Sequence, residues 1–429
     1  MKSAWAILAL LTLTTSGLAA MALPPAAVDA HSGFQEVPAN DRARGRVFDG
    51  LSPGKAGTLC QGLLEIAAAG CTHGPDAAPA EANVAAAVAP ATAAAIAAAT
   101  PIRCPPGEDG SSGMRVQAIY AYEQGKPNRY ATYATSFPVY AGNVEATYAL
   151  SAAQTGGTRH VRWVTDSQCH LLVQVAALPP GSLASISTMR SALQALGYNS
   201  AARKYLVWAD ATVYCGIGYF YNDDSPQGDG TVNANDGKSA MYARIDSGCW
   251  GLQNSVEAHE LMHNLGGVQA SAPRATNGAH CVDDADRMCY NDGKLKAGQT
   301  MLTRCASTQE RFLDCNHDDY YHTSPPAGSY LATHWNAASS RFLFQDPGFA
   351  ATFQPRAVGN DWWIEAAVTA TKPVAKVEAR VADGAWTTLP ATSWGTWAKS
   401  LHAPNGAPVA FRAYDATGAN VTGPTIVWT

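Results

Sequence analysis

Charge is scarce in this chain: only 15 % of its 429 residues are Asp, Glu, Lys or Arg, and the formal net charge is −5. Without a basic excess, nothing points to nucleic acid or an anionic membrane as a partner. Past the first residues no run is long and apolar enough to span a bilayer, and the Ala-rich stretch near residue 90 is broken by Pro90. None of the ten cysteines stands in a C-x-x-C pair, which speaks against a cysteine-ligated zinc knuckle. No nucleophile elbow recommends serine catalysis.

What is present starts with a leader. Lys2 supplies a charged end, Ala4 to Leu13 an apolar core, and Ala20-Met21-Ala22 a small-x-small cleavage site, so residues 1–22 read as a secretory signal peptide. An even number of cysteines in an exported chain implies disulfides. Near neighbours suggest Cys60–Cys71, Cys281–Cys289 and Cys305–Cys315, with Cys104–Cys169 and Cys215–Cys249 at longer range.

The remaining length divides by texture. Residues 23–103 hold a partly helical pattern between Cys60 and Cys71, then an Ala/Pro/Thr linker, and read as a propeptide or an attached N-terminal module. Residues 104–345 alternate strand and helix patterns: Val116–Tyr122, Pro138–Ala153, His160–Thr165, Leu171–Ala176, Ile186–Leu196, Lys204–Asp210 and Met241–Ile245. Residues 346–429 are short alternating runs with Asp383-Gly384 as a hairpin turn, which suggests an immunoglobulin- or fibronectin-like β-sandwich. Six of the eleven tryptophans fall there: Trp362, Trp363, Trp386, Trp394, Trp397 and Trp428. Such rings either form the core of a small sandwich or stack on sugar rings, as in a polysaccharide-binding module.

The most informative stretch is Val256 to Tyr290. It opens His259-Glu260-Leu261-Met262-His263. On a helix, residues four apart share a face, so both imidazoles reach one ion, while Glu260 is placed as general base toward a water that the ion activates. Asn254 and Ser255 offer N-caps, Glu257 suits the positive helix end, and Gly266-Gly267 supplies a stop. Ala258, Leu261, Met262 and Leu265 form the apolar seam beneath.

With Gly266 three residues after His263, and Met288 in a tight Asp-Arg-Met-Cys-Tyr segment, this stretch resembles the metzincin zinc endopeptidases. The resemblance implies a twisted mixed sheet with two helices before the zinc helix, and an edge strand, expected at Met241–Ile245, that pairs with extended substrate. It implies a Met-turn at Met288 and an oxyanion-stabilising tyrosine at Tyr290. One position departs from the pattern. The family's third ligand falls at Gln269, whose neutral amide is a poor zinc ligand. His280 is the favoured substitute, since a Cys281–Cys289 bridge would hold it beside the Met-turn. Gln269 and the carboxylates Asp283, Asp284 and Asp286 stay open.

Three further residues, His317, Asp318 and Asp319 in Cys315–Tyr321, read either as a capped turn or as a calcium or second zinc site. The sequence thus leads to a secreted, monomeric zinc metalloendopeptidase acting on extracellular proteins or peptides. Its alternative is a catalytically inert exported protein that binds polysaccharide or a cell surface through the Trp-rich domain. A metal-dependent hydrolase of sugars or esters is a third reading.

Overall fold

The computed structural model describes residues 33–427 except 67–69, 80–81, 229–230, 253–254, 347, 359–362, 394, 405 and 424. The leader expected at 1–22 and the N-cap expected at Asn254 lie outside the described residues. The described chain is mixed α/β, with several sheets and few helices.

Three short strands come first: Leu51–Pro53 (β1), Leu64–Ile66 (β2) and Gly70–Asp76 (β3). The sequence predicts a partly helical segment between Cys60 and Cys71; β2 and β3 instead pair antiparallel. The reason is local. Gly62 and Gly70 take φ of 81° and 151°, outside the helical region, and Leu64 and Ile66 are buried with Phe34 and Phe48 at a spacing of two. The Ala-rich stretch carries one short helix, Ala93–Ala97 (α1), capped by Thr92.

The next elements are Arg115–Glu123 (β4), Tyr130–Tyr133 (α2), Ser136–Gln154 (α3), His160–Val161 (β5), Val173–Leu178 (β6) and Ile186–Ala195 (α4). Arg203–Ala209 (β7), Gly216–Tyr219 (β8), Met241–Asp246 (β9), Val256–Asn264 (α5), Tyr330–Thr333 (α6) and Leu343–Phe344 (β10) complete this region. The predicted strand His160–Thr165 shrinks to β5, which pairs with β10. One eight-stranded sheet runs β1-β2-β3-β8-β9-β7-β4-β6, with β9, β7, β4 and β6 mutually parallel and β8 and β3 antiparallel to their neighbours. Both faces are covered. Leu206, Trp208 and Ile245 pack with α3 and α5, whereas Tyr205, Val207 and Met241 pack with α4. Burial on both sides explains why these strands read as continuous apolar runs.

One expectation about the sheet changes. Met241–Ile245 is an interior strand, flanked by β7 and β8, and not the edge. The strand on the cleft side is β8, Gly-Ile-Gly-Tyr, too short and Gly-rich for its pattern to show. Its glycines are required by packing, because a Cβ on Gly216 would collide with the Glu260 carboxylate and one on Gly218 would stand 3.0 Å from the Glu260 carbonyl.

Beyond residue 345 lie Ala351–Val358 (β11), Trp363–Ala370 (β12), Lys376–Val381 (β13), Thr387–Leu389 (β14), Trp397–Ser400 (β15), Pro408–Tyr414 (β16), Asn420–Thr422 (β17) and Ile426–Val427 (β18). They form one sheet of β11-β12-β15 and another of β14-β13-β16-β17 with β18 on β16. Phe353 and Ile364 from the first share a core with Val377, Leu389 and Phe411 from the second. Trp386 lies under two guanidiniums, Arg412 at 4.1 Å and Arg380 at 5.0 Å from its ring centre. Trp397 packs on the shared core, while Trp362, Trp394 and Trp428 lie outside the described residues.

All ten cysteines are paired, as Cys60–Cys71, Cys104–Cys169, Cys215–Cys249, Cys281–Cys289 and Cys305–Cys315. Five disulfides suit an oxidising compartment. No helix among the described residues is long and apolar enough to cross a membrane.

Candidate metal centre

Helix α5 is built to hold its polar face still. The Ser255 side chain accepts the Ala258 N–H at its start, and Trp335 Nε1 donates to the Leu265 carbonyl at its end (2.7 Å). Asn264 Nδ2 donates to the Tyr219 and Tyr242 carbonyls, tying the helix to β8 and β9 (2.9 and 3.2 Å). Glu257, expected to sit at the positive helix end, is fully buried there and accepts from Gly251 N–H and Trp208 Nε1. Leu261, Met262 and Leu265 enter the same core as Met288 and the Cys281–Cys289 pair.

Three imidazoles converge above this seam. His259 Nε2 stands 3.0 Å from His263 Nε2 and 3.3 Å from His280 Nε2. Two of the rings have their other nitrogen committed. His259 donates from Nδ1 to the Arg287 carbonyl (2.8 Å), in the turn that precedes Met288, and His280 donates from Nδ1 to Asp292 Oδ2 (3.1 Å). That leaves their Nε2 lone pairs pointing together, the arrangement a metal ligand needs. Ligands on a tetrahedral zinc at about 2.0–2.1 Å stand about 3.3 Å apart, so the spacing and the donor set both suit zinc.

The other candidates for the third position lie elsewhere. Gln269 donates from Nε2 to the Gly266 and Tyr221 carbonyls and does not join the cluster. Asp286 accepts Met288 N–H (2.7 Å), Tyr320 O–H (2.6 Å) and Cys315 N–H (2.6 Å), and so braces the Met288 turn. Asp283 is paired with Arg274 at 3.0 Å, and Asp284 accepts the N–H of Ala285. In the Cys315–Tyr321 turn, Asp314 accepts the N–H groups of Asp318, Asp319, Tyr320 and Tyr321.

Two residues that the sequence reading passed over complete the cluster. Asp76, at the end of β3, places Oδ2 2.9 Å from His259 Nε2 and Oδ1 3.2 Å from His280 Nε2. Tyr290 donates its hydroxyl to Asp76 Oδ1. His73 stacks on His263 with ring centres 3.6 Å apart and puts Nε2 3.4 Å from Glu260 Oε2. The signal lay in His73-Gly-Pro-Asp76, an H-x-x-D pair directly after Cys71 in a segment otherwise poor in charge. Asp292, which orients His280, was also unread; it stands two residues past Tyr290.

Electrostatics follow from burial in a crowd of ionisable groups. Desolvation and the adjacent Asp76 carboxylate push Glu260 well above the usual range. Burial would raise Asp76 as well, but His73, His259 and His280 outweigh it and hold Asp76 well below. Burial drags His73 down to about 3. It pulls on His280 too, yet Asp76 and Asp292 carry that ring up to about 9. These shifts favour an ionised Asp76 and protons on Glu260 and His280, and metal binding would displace the His280 proton.

The letters G-x-S-x-G do occur, contrary to the sequence reading, at Gly50–Gly54. Ser52 there is exposed on β1, in a hairpin and not at the strand-to-helix turn that an elbow requires.

No family model and no curated protein matches this chain. Among solved structures, an apo expansin from Clavibacter michiganensis aligns over 19 % of this chain and 41 % of its own, at 21 % identity and TM-score 0.15. The chain thus spans less than half of that expansin. OgpA from Akkermansia muciniphila, also solved as an inactive form with an O-glycopeptide, aligns over 76 % of this chain and 95–96 % of its own, at 11–12 % identity and TM-score 0.25. Superpositions this loose decide neither fold nor activity.

Proposed function

We propose that this chain is a secreted zinc-dependent endopeptidase, a hydrolase of the metzincin kind, with its zinc held by His259, His263 and His280. The observation that carries the reading is the convergence of three Nε2 atoms at 3.0 and 3.3 Å on a buried face that also presents Glu260. Zinc, when bound, would polarise a scissile carbonyl and acidify water at neutral pH.

The protein's own groups supply the rest. Glu260 takes the proton from the attacking water and passes it to the leaving amine. For that, its carboxyl must ionise, and a doubly charged ion held by the three imidazoles would be the counter-charge that permits it. Tyr290, whose ring centre is 4.4 Å from that of His280, donates its hydroxyl to the developing oxyanion. Arg287 and Asp292 hold two ligand rings in register, and Met288 fills the floor. Extended substrate would pair along β8, beside the base. Extracellular proteins or peptides are the substrates this arrangement suits, in keeping with the leader and the five disulfides.

The test is hydrolysis of an unfolded protein by the zinc-loaded chain, intact and after limited proteolysis, beside Glu260→Ala and a chelator control. One zinc per chain with cleavage lost in both controls supports the reading; stoichiometric zinc without cleavage by either form overturns it.

A further inference from the structure

We propose that Asp76 is the fourth zinc ligand, and that the strand bearing it makes the chain a self-inhibited precursor. This rests on the zinc site proposed above. A zinc held by three histidines keeps one open position for chemistry, whereas a fourth protein ligand closes it. Both carboxylate oxygens of Asp76 face the ligand nitrogens, at 2.9 Å from His259 and 3.2 Å from His280. The same four residues engage every other working group. His73 lies against Glu260 and stacks on His263, and Tyr290 spends its hydroxyl on Asp76.

The backbone argues the same way. β3 pairs antiparallel with β8, Asp76 opposite Gly216 and Thr72 opposite Tyr219, along the strand where extended substrate would lie. The register slips between Thr72 and Pro75, with Gly74 at φ 96°, so that His73 within this bulge and Asp76 just beyond it both face the cluster. Past Asp76, residues 77–79 line a cavity of about 280 Å³ shared with Val256, His259 and Tyr290. The segment therefore covers the metal position, the base and the cleft together.

It is also built to be released. Cys60–Cys71 braces the hairpin internally, and none of the five disulfides joins residues before Asp76 to residues after it. Downstream, Ala85, Ala86, Ala89 and Pro90 are exposed. A hydrolytic cut there turns a tethered blocker into a separate one, which loses its high effective concentration.

The experiment uses the full chain with a recognition site for a sequence-specific protease placed over residues 85–89, loaded with zinc for turnover and with cobalt(II) for visible spectra. Asp76→Ala and Asp76→Asn are compared with the parent, the second retaining the side chain's shape. In the intact parent, cobalt bands should ignore a peptide hydroxamate, and peptide hydrolysis should run about a hundredfold or more below that of the cut chain. Both variants should bind one metal, shift the cobalt bands, and admit a small hydroxamate, acetohydroxamate, to the metal without a cut, whereas the peptide hydroxamate should still require the cut. If the bands are the same in parent and variants, or acetohydroxamate binds the intact parent equally, the assignment of Asp76 is overturned, while hydrolysis by the cut chain would still uphold the peptidase. If the bands shift but no form hydrolyses peptide, Asp76 stands as a ligand and the peptidase reading fails.

Discussion

Two clusters of buried ionisable groups lie on either side of the Met288 turn, and they settle their charge differently. Around Arg274 the chain supplies its own cation: the guanidinium pairs with Asp283 at 3.0 Å and Asp318 at 3.1 Å, and the Arg274 N–H goes to Asp319. Beneath α5 there is no lysine or arginine among the groups that meet; three imidazole nitrogens and a carboxylate face one another at 2.9–3.3 Å. Once His280 gives up the proton that Asp76 and Asp292 favour, lone pairs so close repel unless something positive sits between them. The contrast favours the α5 cluster as the place for an external ion, whereas at the Cys315–Tyr321 turn, read as a capped turn or a calcium or second zinc site, Arg274 already pairs with two of the three carboxylates that could hold one.

Removing the base should have the largest effect. Glu260→Gln in the cleaved form is expected to keep its zinc and lower kcat about 10²–10⁴-fold, the range of a positioned acid–base group. Zinc content and kcat, measured together, check this; loss of zinc would mean that Glu260 helps to hold the ion. Next comes the support of the third ligand. Asp292→Asn is expected to weaken zinc binding about 10–100-fold by competition against a calibrated chelator, because the acceptor that fixes the His280 tautomer loses its charge. An unchanged affinity would transfer the third-ligand role away from His280.

How far the sequence reached follows from the same contrast. His259, Glu260 and His263 were legible because a helix converts a spacing of four into proximity. Three disulfide pairs were legible from near neighbours and two, Cys104–Cys169 and Cys215–Cys249, as longer-range readings, and β4, β7 and α3 from their apolar runs. His280 was only favoured, because an inserted loop carries no period, and its closeness to His259 depends on the Cys281–Cys289 turn. Asp76 and His73 stayed hidden for a different reason. They stand at least 180 residues before the helix they meet, on a strand of which only Gly70 and Cys71 fell within the partly helical pattern, and local pattern holds no information about such a pairing. The place of β8 between β3 and β9 escaped likewise, since four residues with two glycines give no alternation to read.

The Arg274 cluster should answer in stability and not in zinc. Arg274→Met leaves Asp283 and Asp318 without their cation and is expected to cost about 2–3 kcal/mol in urea unfolding, below the full loss of a buried pair because Asp318 is partly exposed. Zinc content should stay the same. A variant that unfolds normally but loses zinc would mean that the two clusters are coupled through the Met288 turn, and the contrast drawn between them would fail.

The smallest expected effect is a pH slope. Burial pushes Asp286 up to about 6 despite hydrogen bonds from Tyr320, Met288 and Cys315 that pull it down. In the unfolded chain the same carboxyl titrates near its ordinary value, 3.8. Between about pH 4 and pH 6 the folded state therefore retains a proton that the unfolded state has given up, so this group makes stability fall as pH rises through that window. The contribution is at most about 1.4 kcal/mol per pH unit. Asp286→Asn, neutral throughout, should lose this part of the slope while remaining less stable at pH 4, where its amide meets donors that the protonated acid accommodates. Urea unfolding of the zinc-loaded chain at pH 4.5, 5.5 and 6.5 measures both. An identical slope in parent and variant would mean that Asp286 is ionised in the folded state, with its three donors outweighing its burial.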